Sequence, residues 1–319
     1  MSRYSCVKFA PYAGYKGVIL CVGFMKTISS FLKSRIIIVL LLSLGIFILT
    51  GSQYNTLQGG NGQGSGDVLV IGHAGSGFFS PLNPYNPLPP NSSASILKAL
   101  EEDGAAGVEV DVHVSRDGVP ILYHDTSLET MSEGTGMIEQ LPAAEVVGLR
   151  YKGGILYDLF HKERLITLEE VLQRFKTYPK WPFLHIDIRQ HDSSRNAFYA
   201  ESLLNLLRRY NYPVEKLAFI FEDAGILHTI QDLEPKAVVM LDAGDDFEVS
   251  MKEALDQKLD GVTADGKKVS KEQVLRARQQ GLQVVLFGGK SRATIAGLLA
   301  KEPDAIQVNN VKRMRRLQK

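Results

Sequence analysis

The sequence predicts an α/β fold: a distorted (β/α)8 TIM barrel preceded by an N-terminal hydrophobic signal or anchor segment. Three observations predict it. Short apolar runs alternate with helix-like stretches from Val68 onward. There are about eight such runs over roughly 250 residues, the repeat and size of such a barrel. No G-x-G-x-x-G follows the first run, so a doubly wound open sheet stands second. Two alternating runs also flank Ser115-Arg116-Asp117-Gly118, which reads as a hairpin turn. A regular barrel has no such hairpin, hence the expected distortion.

In chain order, Val68–Gly72 reads as a strand and Ser92–Glu102 as a helix capped by Asn91. The hairpin lies within Gly107–Asp125. Leu168–Phe175 is a predicted helix, Phe183–Ile188 a strand and Ala197–Tyr210 a helix. Leu217–Phe221, Ala237–Leu241, Gly261–Ala264, Gln283–Phe287 and Ala305–Val308 are further short strands. Helices such as Lys271–Gln280 and Ala293–Lys301 lie between most of them.

The segment from Gly107 to Asp125 reads GVEVDVHVSRDGVPILYHD. Residues two apart in a strand share a face, so Glu109, Asp111 and His113 point the same way. With the turn centred between Arg116 and Asp117, Glu109 lies opposite His124. Two carboxylates and an imidazole on one small area call for a metal ion or an acid/base site. His73 ends the first strand, where a barrel carries its active site. Phe183-Leu184-His185-Ile186-Asp187-Ile188-Arg189 alternates strictly, placing His185, Asp187 and Arg189 inward. Oxygen ligands from Glu109, Asp111 and Asp187 suit one hard divalent cation, Ca²⁺ or Mg²⁺, rather than zinc. Two histidines beside such a cation suit displacement at phosphorus. One takes a proton from the nucleophile and the other protonates the leaving oxygen.

The loop Ser76–Pro90 (SGFFSPLNPYNPLPP) leaves the end of the first strand and overhangs that area. It reads either as a Pro-stiffened lid or as a surface on which Phe78 and Phe79 touch a lipid or an apolar substrate group.

The chain has 319 residues, 45% hydrophobic and 22% charged, enough for one large core. No Asp or Glu precedes Asp67, whereas six of the 36 basic residues do. From Asp67 onward 30 basic residues face 35 acidic ones, a net charge of −5 that argues against nucleic acid as partner. A basic cluster closes the chain (Lys312, Arg313, Arg315, Arg316, Lys319), read as a solvated tail or a membrane-surface contact. Both cysteines, Cys6 and Cys21, precede Asp67, so the folded part has no thiol nucleophile and needs no disulfide.

Residues 1–35 form a basic N-terminal region, and 36–51 an apolar signal-peptide or signal-anchor segment. The run Ile36–Leu49 is short for a membrane span, for which about 20 residues is typical. Positive charge before it puts the following domain on the non-cytoplasmic side, membrane-anchored or secreted. Met25 would make a more ordinary start than Met1. Residues 52–66 read as a flexible linker and 67–319 as the barrel domain.

The residues from Val68 to Asn310 resemble the glycerophosphodiester phosphodiesterases, of the barrel superfamily that includes phosphatidylinositol-specific phospholipase C. The resemblance is strongest over Gly107–Asp125, with its E-x-D, R-D-G turn and closing H-D. It continues through Gly134-Thr135-Gly136 and Leu165-Ile166-Thr167-Leu168-Glu169-Glu170-Val171-Leu172. Asp187 and Arg189 stand where that family has E-x-K. The resemblance implies that His73 and His124 are the acid/base pair and that Glu109, Asp111 and Asp187 hold the metal. It gives Arg189 the task of neutralising phosphate or holding the carboxylates.

The chain departs from the family at His73-Ala74-Gly75, where the family reads H-R-G. It departs again at Pro89-Pro90-Asn91-Ser92, where the family reads P-E-N-T, and at Leu286-Phe287-Gly288-Gly289 and Val308-Asn309, where it tends to show W-T-V-N and T-D. Retained chemistry with altered phosphate and glycerol contacts is therefore expected. Arg189 or Lys267 would replace the missing charge, and His185 is a further candidate contact. Three functions compete. The first is metal-dependent hydrolysis of a glycerophosphodiester to glycerol phosphate and an alcohol. The second is a lysophospholipase D-type activity on a lysophospholipid, and the third a catalytically impaired barrel that binds a phosphate-bearing ligand.

Overall fold

Strand alternation sets the architecture. In β4 (Phe183–Ile188) Leu184, Ile186 and Ile188 are fully buried against the helices, while Phe183, His185 and Asp187 point the other way, into the barrel. In β2 (Gly107–Val114) the four valines face the helical layer, and Glu109 and Asp111 face the lumen. The structure is a computed structural model that describes residues 68–78, 88–152, 158 and 162–319. The chain divides into two units, Met1–Gly62 and Gln63–Lys319, and every described residue belongs to the second. The predicted basic region, signal or anchor segment and linker all lie outside the described residues, as does Phe79. Among the described residues no helix is long and apolar enough to cross a membrane.

Eight parallel strands close a barrel. They are β1 (Leu69–Gly72), β2, β4, β5 (Leu217–Phe221), β6 (Val238–Asp242), β7 (Gly261–Asp265), β8 (Gln283–Gly288) and β9 (Ala305–Val308). Pairing of β1 with both β9 and β2 closes the circle. The remaining strand, β3 (Pro120–Leu122), runs antiparallel to β2 and stands outside the ring of eight. This is the predicted distortion. Its register, Val112↔Leu122 and His113↔Ile121, centres the turn on Asp117, half a residue later than the sequence suggested. Gly118 at φ +86° takes the left-handed turn position. The last bond to β2 is from the Tyr123 N–H to the Asp111 carbonyl at 3.1 Å, so His124 leaves the ladder and does not lie opposite Glu109.

The helices are α1 (Ser93–Leu97, continued by one π turn to Glu102), α2 (Ala143–Val146), α3 (Leu168–Phe175), α4 (Asn196–Arg209), α5 (Ala224–Leu233), α6 (Phe247–Asp256), α7 (Lys271–Gln279), α8 (Arg292–Leu299) and α9 (Val311–Leu317). Capping boxes start α3 at Thr167–Glu170 and α7 at Ser270–Gln273, satisfying amides that the first turn leaves orphaned. Helix α1 is capped by Ser92, one residue after the predicted cap. Asn91 instead takes a left-handed conformation, φ +61°, and is freed for another task. The described residues between β3 and α3 pack on their own small core, which includes Tyr123, Leu128, Ile138, Val146 and Leu165.

The lumen is apolar at its floor, where Ile71, Ala218, Ile220, Met240, Val285 and Ala305 meet. Above them His185 and Gln307 hydrogen-bond each other at 3.2 Å. Acidic residues gather at the C-terminal ends of the strands, the mouth where a barrel can bind ligand without burying charge in its core.

Candidate active site

Two adjacent strands and the turn after β1 supply the centre of the mouth. β2 and β4 pair in register, Asp111 beside Asp187 and Glu109 beside His185. Equivalent inward positions therefore deliver Glu109, Asp111 and Asp187 together, with one carboxylate oxygen from each within 4.8 Å of the others. After β1 the chain turns sharply, with Ala74 at φ +46° and Gly75 at φ +86°. A Cβ on Gly75 would lie 2.6 Å from the Ser95 hydroxyl, so the turn presses directly onto α1. This turn aims the Ala74 N–H at Glu109 Oε2, 2.7 Å away, and leaves His73 Nε2 3.8 Å from the same oxygen.

Arg189, one residue past β4, donates to both Asp111 and Asp187. Of the two tasks considered for it, the geometry shows it holding carboxylates. Asn91 grips Asp111 from the other side: its amide donates to Oδ2 at 2.7 Å, and its carbonyl accepts the Asp111 N–H at 3.0 Å. Sequence reasoning gave Asn91 a helix-capping role and missed this one. The one local signal was an Asn, the non-glycine residue most at ease in the left-handed region, set before a second capping residue.

The charges do not balance. Among the described residues three carboxylates face one guanidinium, and Glu109 Oε1 is buried with no hydrogen-bond partner. Burial, with the charges of Asp111 and Asp187 added, pushes the Glu109 carboxyl well above the usual range. Asp187 is pushed up in the same way, by burial first. Burial acts on Asp111 too, but Arg189, His124 and Asn91 together hold it below its ordinary value. An orphaned buried oxygen within an all-oxygen donor set fits a hard divalent cation, and Glu109, Asp111 and Asp187 are the residues that would hold it.

The two histidines stand apart from each other. Burial lowers His73 to a pKa of about 4, so its imidazole is neutral at pH 7. His124 Nδ1 lies 3.1 Å from Asp125 Oδ1. A carboxylate accepts, so Nδ1 carries the proton and Nε2 is left for chemistry. The Phe78 ring stands edge-on to both imidazoles, 4.8 Å from His73 and 5.0 Å from His124 between centroids. Its backbone N–H donates to Asn309 Oδ1. A cleft of about 110 Å³ runs from Asp187 and Arg189 past Phe221 to Glu222 and Asp242.

Other predicted positions fall elsewhere. His185 lies inside the lumen one inward position below Asp187, bonded to Gln307 and held neutral by burial, which lowers it to about 4. It is therefore a lining residue of the barrel interior rather than of the mouth. His113 is buried between Tyr123 and His191, and burial lowers it to about 3. Lys267 is exposed on the loop after β7, on the mouth side. Ala74 is fully buried and offers no charge to a phosphate.

The sequence pattern of the glycerophosphoryl diester phosphodiesterase family matches residues 82–313, well over half the chain. The chain belongs to this family. Among its relatives, the human glycerophosphodiester phosphodiesterase 1 is 33% identical over 148 residues, 46% of this chain and 41% of that protein. A Bacillus subtilis glycerophosphodiester phosphodiesterase is 23% identical over 84% of this chain and 92% of its own. The chain spans about two fifths of the length of the rat and human relatives it matches. Among solved structures, a phosphodiesterase of Oleispira antarctica, in complex with the product sn-glycerol-3-phosphate, superposes with a TM-score of 0.67 at 21% identity. It covers 78% of this chain and 95% of its own. A glycerophosphoryl diester phosphodiesterase structure from Silicibacter pomeroyi gives 0.66 at 19% identity, covering 79% and 92%. These likenesses show that this family member shares the barrel fold.

Asn91 is the family member's least obvious contributor, and its loss has a stated consequence. Asn91→Ala removes two hydrogen bonds from Asp111. Divalent-cation affinity is expected to fall by about 10- to 100-fold, the usual effect of losing an outer partner of a ligand. Titration calorimetry with Ca²⁺ or Mg²⁺ checks this; unchanged affinity would mean Arg189 alone positions Asp111.

Proposed function

We propose that the chain hydrolyses a glycerophosphodiester to glycerol phosphate and an alcohol, with His73 and His124 as the proton-transfer pair. Glu109, Asp111 and Asp187 hold one divalent cation, Ca²⁺ or Mg²⁺. The observation that carries this reading is the set of three carboxylates at one mouth, flanked by two imidazoles with a ring-sized gap between them. When bound, the cation neutralises phosphate oxygens. His73, neutral through burial, is poised to accept a proton from the attacking water. His124, oriented by Asp125, protonates the departing oxygen. Arg189 holds Asp111 and Asp187 in place and lowers Asp111, and with Arg189 so engaged Lys267 is the remaining candidate to replace the arginine absent at Ala74.

Phe78 favours a second reading, a lysophospholipase D-type reaction at a lipid headgroup. The Phe78 ring touches both imidazoles, so it would meet an apolar substrate portion beside a phosphate bound at the histidines. The loss of charge at Ala74 motivates a third, an impaired barrel that only binds phosphate groups. The apolar run Ile36–Leu49 and the basic residues before it support a barrel domain on the non-cytoplasmic side, tethered or secreted, and the net charge of −5 from Asp67 onward speaks against a nucleic-acid partner.

One experiment separates the three. The purified protein is assayed on a soluble glycerophosphodiester and on a lysophospholipid, with chelator and with added Ca²⁺ or Mg²⁺. The first reading expects turnover of the soluble diester that chelator abolishes and the cation restores. Under the second, replacing Phe78 and Phe79 by Ser depresses lysophospholipid turnover more than soluble-diester turnover, and equal losses sink it. Binding without turnover of either leaves the third.

A further inference from the structure

The strongest feature outside the catalytic mouth is a cleft of about 450 Å³ where α8 meets α9, lined among the described residues by Arg292, Arg313, Arg316 and Leu317. All three arginines are exposed, and among the described residues none has a carboxylate partner. The two acidic residues between Lys290 and the end of the chain are engaged elsewhere: Glu302 with Lys271 and Asp304 with Arg278. Lys290 and Lys312 add two more exposed cations without carboxylate partners among the described residues. This concentration stands out because the chain from Asp67 onward carries a net charge of −5.

The cleft reaches the mouth side of the barrel at Arg292 and Arg313, while Arg316 and Leu317 lie farther along α9, whose end is tied by Gln318 to the Val68 carbonyl before β1. Arg292 opens α8, just past the C-terminal end of β8, and Arg313 lies in the first turn of α9, just past β9. The two loops are knitted together by Asn309 N–H to the Gly288 carbonyl at 3.0 Å and by the Asn310 amide to the Lys290 carbonyl. Asn309 in turn accepts the Phe78 N–H. The basic cleft and the aromatic ring over the catalytic histidines therefore hang on the same short segment.

We propose that this cleft docks the catalytic face on an anionic phospholipid surface, with a phosphate-bearing headgroup seated among Arg292, Arg313 and Arg316. Guanidinium groups match phosphate oxygens in pairs. The cleft is larger than a lone phosphate needs, and Leu317 gives it an apolar wall, as suits a headgroup still attached to its lipid. A basic patch beside an active-site mouth draws a protein to a negative membrane surface and orients the mouth toward it. The proposal does not rest on the chemistry assigned to the mouth, because its test reads binding.

The full-length chain is co-sedimented with vesicles of phosphatidylcholine alone and of phosphatidylcholine mixed with phosphatidylglycerol. The basic N-terminal region also favours anionic vesicles, so the cleft's share is read as the difference between the wild-type chain and the cleft variants. Binding to the anionic vesicles is expected to be about tenfold tighter or more, and to weaken as salt is raised. The triple variant Arg292→Glu, Arg313→Glu, Arg316→Glu is expected to lose the preference while keeping its turnover of a soluble diester. The triple Gln variant, which removes charge without reversing it, is expected to lose it as well, and its circular dichroism confirms folding. A preference undiminished in both variants overturns the proposal. So does wild-type protein with no anionic preference that instead binds inorganic phosphate through these arginines, since the cleft would then serve a free anion.

Discussion

Replacing His124 by Ala is expected to lower kcat on a glycerophosphodiester by about 10²- to 10⁴-fold, the usual contribution of one positioned proton-transfer group. The cation site should stay largely intact, because Arg189 and Asn91 still hold Asp111 and His124 bonds Asp125 rather than any of the three carboxylates. Kinetics paired with cation titration check both halves. Lost turnover with unchanged cation affinity identifies a proton-transfer role. Lost affinity would place His124 among the ligands, and full activity would remove it from the chemistry.

The second large effect is expected from Glu109→Gln. The amide keeps an oxygen for the Ala74 N–H, so the strained turn after β1 retains its anchor. What it loses is the charge on the buried oxygen that no described residue satisfies. Cation binding and turnover should disappear together. Stability offers an independent readout. A ligand that binds only the folded state at a hundred times its Kd stabilises by about 2.7 kcal/mol. For a domain of this size that is a rise in Tm of about 5–10 °C. Wild-type protein should show that rise with Ca²⁺ or Mg²⁺ in calorimetry, and Glu109→Gln should not. A cation-dependent rise that persists in the variant would move the binding site elsewhere.

Much of the fold could be read from local patterns. The strict alternation of Phe183–Ile188 predicted β4 to the residue, and Leu168–Phe175 matched α3, because strand pleat and helical stripe are both written within a few residues. The hairpin was legible for the same reason, through Asp117-Gly118 between alternating runs. Its register was not. The half-residue shift in the turn follows from Gly118 taking the left-handed position, and it moves His124 out of line with Glu109. The helix cap was misplaced by one residue because Asn91 and Ser92 are both good capping residues, and only the position of Asp111 decides between them.

By itself the sequence determined the alternation of strands and helices, the inward placement of Glu109, Asp111, Asp187 and Arg189, and the resemblance carried by those positions. Closure of the barrel decided the rest. It set β1, β2 and β4 side by side, so that Arg189 reaches back 78 residues to bridge Asp111 and Asn91 reaches forward 20 to grip it. It also brought the Phe78 ring between two histidines and gathered Arg292, Arg313 and Arg316 around one cleft. No local periodicity encodes such contacts. They arise because closing a ring of strands brings into contact residues that the chain itself keeps far apart.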